Sequence, residues 1–180
     1  MDARQIFDHF YPVEGPLRQL LLHHSLQVAE RAVRVWREHP DLGADRALLE
    51  RGALLHDIGI CQCDAPRIHC FGTSHYIMHG LLGAQMLRNI GSEWEAEARI
   101  CERHTGTGLR REAFQMRHLD VPPCDLLPET LEEQIVCYAD KFFSKTGSQE
   151  EKTLEQALRS VEKFGEEQAA ILLQWHERFG

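Results

Sequence analysis

From Pro16 onward, Leu17, Leu20, Leu21, His24, Val28, Ala32 and Val35 recur at three- and four-residue spacing. An α-helix gathers such a stripe on one face, whereas a strand would scatter it over two. Pro16 suits the first helical position and Pro40 forbids continuation, so the spacing predicts a helix over about residues 16–38. The same period returns along the chain, and no stretch alternates as a half-buried strand does. A second helix is expected over about residues 44–57, with turn and cap residues from Asp41 to Asp45 and Gly59 as its stop. A third runs over about 74–90, capped by Thr73 or Ser74, and ends at Gly91. Ser92-Glu93-Trp94-Glu95 reads as a capping box that opens a fourth helix to His104, and Thr130 with Glu133 reads as another that opens a fifth to about Lys145. Two more follow over about 149–163 and 165–178. The fold class is therefore all-α.

Residues 1–15 read as a short lead-in, with helix broken at Pro12 and at Gly15-Pro16. Residues 60–73 form a loop rich in cysteine and histidine, and 105–128 a long connection containing Pro122, Pro123 and Pro128; long connections in compact domains are often functional. A chain of 180 residues is sized for one domain with a real core. We expect residues 16–146 to form the main helical body and 147–180 to be packing helices of the same domain, which cap the core or offer a face to an oligomer.

The net charge of −8 argues against a nucleic-acid binder, which needs a basic stripe. No apolar run approaches the roughly 18 residues of a membrane span. Met1 to Gln5 lack the basic start of a signal peptide, so a cytoplasmic location is the expectation. The six cysteines are then free thiols. Cys61, Cys63 and Cys70 could hold zinc, but their spacing is not the usual two-residue gap.

The chemistry gathers at Ala53-Leu54-Leu55-His56-Asp57-Ile58-Gly59. An apolar helical run ends there in two adjacent metal-capable side chains, and a buried Asp57 needs a partner, a hydrogen bond or a cation. His24, His79, His104 and Asp140 also fall on inner helical faces or at helix ends. Each has an ordinary alternative: His24 or His79 as a packed core histidine, His104 as a cation at a helix C-terminus. Asp140 is harder to dismiss, because its neighbours Ala139 and Phe142 predict burial and Lys141, next to it on a helix, should point away. Six such residues from five helices make a divalent-metal site the better reading. Histidine with carboxylate suits iron, manganese, zinc or magnesium.

His24 in His24-Ser25-Leu26-Gln27-Val28-Ala29, His56-Asp57 before Ile58-Gly59, and Asp140 in Tyr138-Ala139-Asp140-Lys141 together resemble the HD superfamily of metal-dependent phosphohydrolases, over about residues 20–145. His79 before Gly80 and Gly83-Ala84, and His104 in Arg103-His104-Thr105-Gly106, are similar to the additional histidines of a two-metal subgroup that includes symmetrical diadenosine tetraphosphate hydrolases. The resemblance implies an HD-type helical bundle with the metal site in its core. It implies one ion on His24, His56, Asp57 and Asp140, a second on His79 and His104, and Asp57 between them, with Asp57, His79 and His104 in the catalytic role. Iron or manganese is favoured. His75, one turn before His79, competes with it as a ligand, and His118 lies in the long loop.

On that basis the expected activity is hydrolysis of a nucleotide or other small phosphate ester by metal-activated hydroxide. Lys141 and Lys145 are one turn apart and could reach phosphate, and Lys141 and Arg110 are the expected substrate contacts. The alternative is a di-iron HD-type oxygenase that cleaves a small organic substrate with oxygen, using the same six ligands. A ligand sensor that keeps the fold without catalysis is a third reading, disfavoured because all six candidates are present.

Overall fold

A computed structural model describes residues 1–180. The helices are α1 (Ala3–Phe10), α2 (Pro16–Glu38), α3 (Arg46–Leu55), α4 (His79–Ile90), α5 (Glu95–Arg103), α6 (Arg111–Gln115), α7 (Leu131–Asp140), α8 (Leu154–Glu162) and α9 (Glu166–Phe179). Strands β1 (Asp64–Ala65) and β2 (Cys70–Phe71) form a small antiparallel hairpin, pairing Asp64 with Phe71 and Ala65 with Cys70. The fold is all-α apart from this hairpin. Helix α2 has the bounds that its periodicity predicts and packs on α3 and α7, while α4 and α5 pack on each other.

Two apolar clusters build the core. One joins Val28, Ala32 and Val35 of α2 to Leu49, Ala53, Ile100, the inner face of α7, and Leu172, Trp175 and Phe179 of α9. The other joins Ile6 and Phe7 of α1 to Leu21, Leu55, Ile58, Leu87 and Cys101. Three elements cross from one cluster to the other, and each carries a buried histidine near the crossing. His24 lies between Leu21 and Val28, His56 between Ala53 and Ile58, and His104 follows Ile100 and Cys101. The polar centre therefore occupies the seam between two apolar bodies.

Several local expectations are corrected. The lead-in holds a helix, because Asp2 caps it: its carboxylate accepts from Gln5 N, and the Gln5 side chain accepts from Asp2 N. Ser92–Trp94 is a 3-10 turn without a side-chain cap, so Ser92 does not form the expected box, whereas Thr130 and Glu133 do. The third helix starts at His79 after a 3-10 turn at Tyr76–Met78, and α7 stops at Asp140, short of Lys145. The 60–73 segment carries the hairpin, whose strands are too short to show alternation.

Gly59 is not a left-handed helix stop; it lies in the 3-10 turn Ile58–Gln62 with no positive φ. Its role is close approach. A Cβ at Gly59 would collide with the backbone of His79 and Gly83, and one at Gly80 would come within 2.7 Å of the Cys101 carbonyl. Glycine there lets α4 press against the turn after Asp57 and against α5. Gly52 is different, since an added Cβ meets only the movable end of the Ile100 side chain. In urea denaturation, Gly59→Ala should cost about 1–3 kcal/mol, the overpacking range, at its upper end because backbone cannot yield. Gly52→Ala should cost less, as helix propensity returns up to about 1 kcal/mol. Equal losses would contradict the close-approach account.

Candidate metal centre

Helix ends place the ligand-type side chains. Helix α3 closes at Leu55, and the chain turns through His56 (φ −56°, ψ −30°) and Asp57 (φ −104°, ψ 10°). Leaving the regular helix lets adjacent side chains face one point, so His56 Nε2 lies 3.1 Å from Asp57 Oδ2. His79 opens α4, His104 follows the last residue of α5, and Asp140 is the last residue of α7. Only His24 sits inside a helix. All six residues are buried.

The two oxygens of Asp57 face different partners. Oδ2 lies 3.3 Å from His24 Nε2 and 3.1 Å from His56 Nε2, and these two nitrogens are 3.3 Å apart. Asp140 Oδ1 joins the same side, 2.9 Å from His24 Nε2 and 3.5 Å from His56 Nε2. Oδ1 of Asp57 lies 3.5 Å from His79 Nε2 and 3.4 Å from His104 Nε2, which are 3.0 Å from each other. The centre thus divides into a His24–His56–Asp140 half and a His79–His104 half, with Asp57 shared.

Three of the imidazoles have a defined tautomer. Nδ1 of His56, His79 and His104 lies 2.7, 2.6 and 2.6 Å from the carbonyl oxygens of Ala53, Tyr76 and Cys101. A carbonyl only accepts, so each Nδ1 carries a proton, and in the neutral ring Nε2 presents its lone pair to the centre. Lone pairs of His79 and His104 then face each other across 3.0 Å beside a carboxylate. Neither Asp57 oxygen has a hydrogen bond of good geometry. Buried acceptors aimed at one another are costly unless a cation lies among them. The donor set therefore fits divalent metal, and the carbonyl bonds at Nδ1 are the outer contacts that hold metal-ligating histidines in place.

The charges follow the same geometry. Burial pulls His56 down, but Asp57 and Asp140 overcome it and push its pKa up to about 9. Burial, helped by His104, drives His79 down to about 3, and burial also lowers His104. Burial works against the charged forms of Asp57 and Asp140, yet the cations around them hold both well below the usual carboxylate range.

Lys141 and Lys145 hold different posts. Lys141 is buried and donates to the His104 carbonyl at 2.9 Å and to Asp140 Oδ2 at 2.7 Å. The expectation that it points away from Asp140 is wrong: at the C-terminus of α7 its long side chain folds back, so that one ammonium reaches both the neighbouring carboxylate and the His104 carbonyl. Lys145 reaches Asp57 Oδ2 at 2.7 Å, and its ammonium is favoured there by Asp57 and Tyr76 against the cost of burial. Arg110 is half exposed and pairs with Glu167 and Asp125 at the surface. His75 is exposed and caps the turn at Ile77, and His118 is exposed with φ 54°, so neither joins the centre. Cys61, Cys63 and Cys70 do not converge as a metal-binding group.

The HD domain family matches residues 21–144, more than half of the chain, and the chain belongs to that family. An uncharacterized protein of Methanocaldococcus jannaschii is 38% identical over 128 residues, covering 70% of this chain and 68% of that protein. Two proteins named tRNA (cytidine(56)-2'-O)-methyltransferase are also similar. The one from Thermoplasma volcanium is 35% identical over 150 residues and that from Picrophilus torridus 33% over 161, covering 83% and 84% of this chain. The chain spans only 38% and 42% of their lengths. The HD domain of the L. monocytogenes phosphodiesterase PgpH has a similar fold, with TM-score 0.51 and 18% identity over 86% of this chain and 88% of that one. The same domain solved in complex with cyclic-di-AMP matches equally, with TM-score 0.51 and 19% identity over 86% of each chain. No helix is long and apolar enough to cross a membrane.

Two outcomes are expected. Asp57→Ala should lose bound metal in elemental analysis while circular dichroism keeps the helical signal, and His79→Ala should hold fewer ions than the native chain; wild-type metal content in Asp57→Ala would contradict the shared position. For chelated protein, the folded chain holds the His56 proton more tightly than the unfolded chain. That contribution is complete below about pH 6.5 and is lost as pH rises through about 9. His79 and His104 resist protonation in the folded chain, so they destabilise it increasingly below about pH 6.5. The melting temperature should therefore peak near neutrality and fall towards pH 9; a rise across that interval would contradict the charge assignment.

Proposed function

We propose that the chain is a hydrolase of small phosphate esters, nucleotides first among them, that works with two divalent metal ions, iron or manganese favoured over zinc or magnesium. One observation carries the reading: four imidazole Nε2 atoms surround the Asp57 carboxylate in two halves, with Asp140 against His24 and His56 and the Lys145 ammonium beside the shared carboxylate. His24, His56, Asp57 and Asp140 would hold one ion, and Asp57, His79 and His104 the other. Bound there, the ions would make hydroxide available near neutral pH and polarise a phosphoryl oxygen.

The chain's own residues supply position and charge. Carbonyl acceptors on Nδ1 keep the His56, His79 and His104 rings from turning. Lys141 ties the end of α5 to the end of α7 by bridging the His104 carbonyl and Asp140, and so positions ligands rather than substrate. Lys145 is the cation best placed to meet a phosphoryl oxygen, because it is partly exposed and its present partner is a ligand carboxylate that metal would take over. Preorganised positive charge matters most as negative charge builds on the phosphoryl oxygens. The same donors suit a di-iron oxygenase, but a lysine beside Asp57 favours the phosphate reading. Nucleotides head the screen because the HD domain of like fold was solved with cyclic-di-AMP.

Anaerobically purified protein with iron or manganese should release phosphate or nucleotide from at least one member of a nucleotide and phosphodiester panel. Lys145→Ala should lower kcat/KM by about 10²-fold with metal content unchanged, the scale on which a positioned charge-stabilising group contributes. Oxygen consumption without phosphate-ester cleavage would contradict the reading.

A further inference from the structure

Past His24, α2 carries a second polar face. Gln27, Arg31 and Arg34 follow at three-, seven- and ten-residue steps from His24, so Arg31 starts about 10 Å along the helix from the centre. They line a cavity of about 270 Å³ between α2 and the segment after α7, together with Glu30, Arg37 and Glu151. Three guanidiniums meet there against two carboxylates, in a chain of net charge −8.

Arg31 is built into the wall. Its guanidinium carbon lies 3.4 Å from the Phe142 ring centroid, and Nη2 donates to the Tyr138 hydroxyl at 3.0 Å. Its Nη1 pairs with Glu151, while its Nε is buried without a partner. Arg34 Nη2 donates to both Glu151 oxygens, at 2.8 and 3.0 Å. One carboxylate is thus held by two guanidiniums, each through a single nitrogen, and the charge-assisted bonds it accepts are ones a phosphate oxygen accepts equally well.

Glu151 is a replaceable occupant. It is more than a third exposed, and ion pairs open to water are weak. Its backbone is anchored on both sides, by the Gln149 carbonyl, which accepts from Gln27 at 2.7 Å, and by Lys152, whose backbone N donates to the Phe142 carbonyl at 2.8 Å and whose ammonium donates to the Lys141 and Phe143 carbonyls, so only the Glu151 side chain has to move. Arg37 has no ion-pair partner and extends the positive field outward.

We propose that this cavity binds a phosphate group on Arg31 and Arg34, with Glu151 as the resident carboxylate that the phosphate displaces. A phosphate dianion brings twice the charge of Glu151 and an additional oxygen for the unpaired Arg31 Nε. Resting on the phosphohydrolase reading, the group is a substrate phosphate other than the one attacked; a free phosphate acting as an effector shares the chemistry.

The direct test titrates inorganic phosphate and pyrophosphate into metal-free protein while recording the Nε–Hε NMR signals of Arg31 and Arg34. Both signals should shift saturably. Glu151→Gln should tighten binding at least about fivefold, and Arg34→Gln, at a residue exposed enough to spare the fold, should weaken it by a similar factor. Absence of a saturable shift at Arg31 and Arg34 in both the native chain and Glu151→Gln overturns the site. The source is then separated with metal-loaded protein and nucleoside mono- and diphosphates. If the phosphate belongs to substrate, Arg34→Gln raises KM for the diphosphate alone. If it is an effector, added phosphate alters the rate on both substrates and Arg34→Gln abolishes that response; either result upholds the site. Complete lack of hydrolysis defeats the phosphohydrolase reading, while the NMR titration still decides the cavity.

Discussion

The structure depends on a carboxylate, Asp57, buried at the junction of two apolar clusters with imidazoles on both of its oxygens. Burying that many acceptors in one place opposes folding unless positive charge is present. The chain supplies part of it through Lys141 and Lys145, and the inward lone pairs of His79 and His104 leave a need that lysine does not meet. Much of the surrounding architecture keeps Asp57 in place. Gly59 lets α4 approach the turn behind it, Gly80 brings α4 onto α5, and the Cys101 carbonyl orients His104.

The placement of these groups at helix ends has a chemical consequence. Regular helix sends adjacent side chains in different directions, so His56 and Asp57 become neighbours in space because the chain leaves the helix at Asp57. The Nδ1 protons of His56, His79 and His104 each use the carbonyl three residues earlier in the chain, and the Tyr76 carbonyl accepts both the backbone N–H and Nδ1 of His79. Helix ending, tautomer and ligand direction are therefore one arrangement rather than three.

Much of this was legible in the residues. The spacing along α2, the stop before Pro40 and the Thr130–Glu133 box each state a local rule that the fold obeys, and all six ligand-type residues named from inner faces do converge. The HD resemblance carries across most of the helical body. What escaped depends on tertiary contact or on very short elements. Gly59 looked like a stop because the sequence does not show that Gly83 lies against it. Ser92 looked like a cap, but a 3-10 turn forms there instead. Asp2 with Gln5 was a readable signal for α1 that the nearby prolines obscured. The difference between Lys141 and Lys145 could not be read, since it turns on whether α7 ends at residue 140 or 145.

The central claim is that Asp57 is shared between two metal positions. Anomalous diffraction from crystals grown anaerobically with manganese tests it most directly. The account predicts two peaks, one among His24, His56, Asp57 and Asp140 and one among Asp57, His79 and His104. A single peak that leaves His79 and His104 without metal, or no peak touching Asp57, would contradict it.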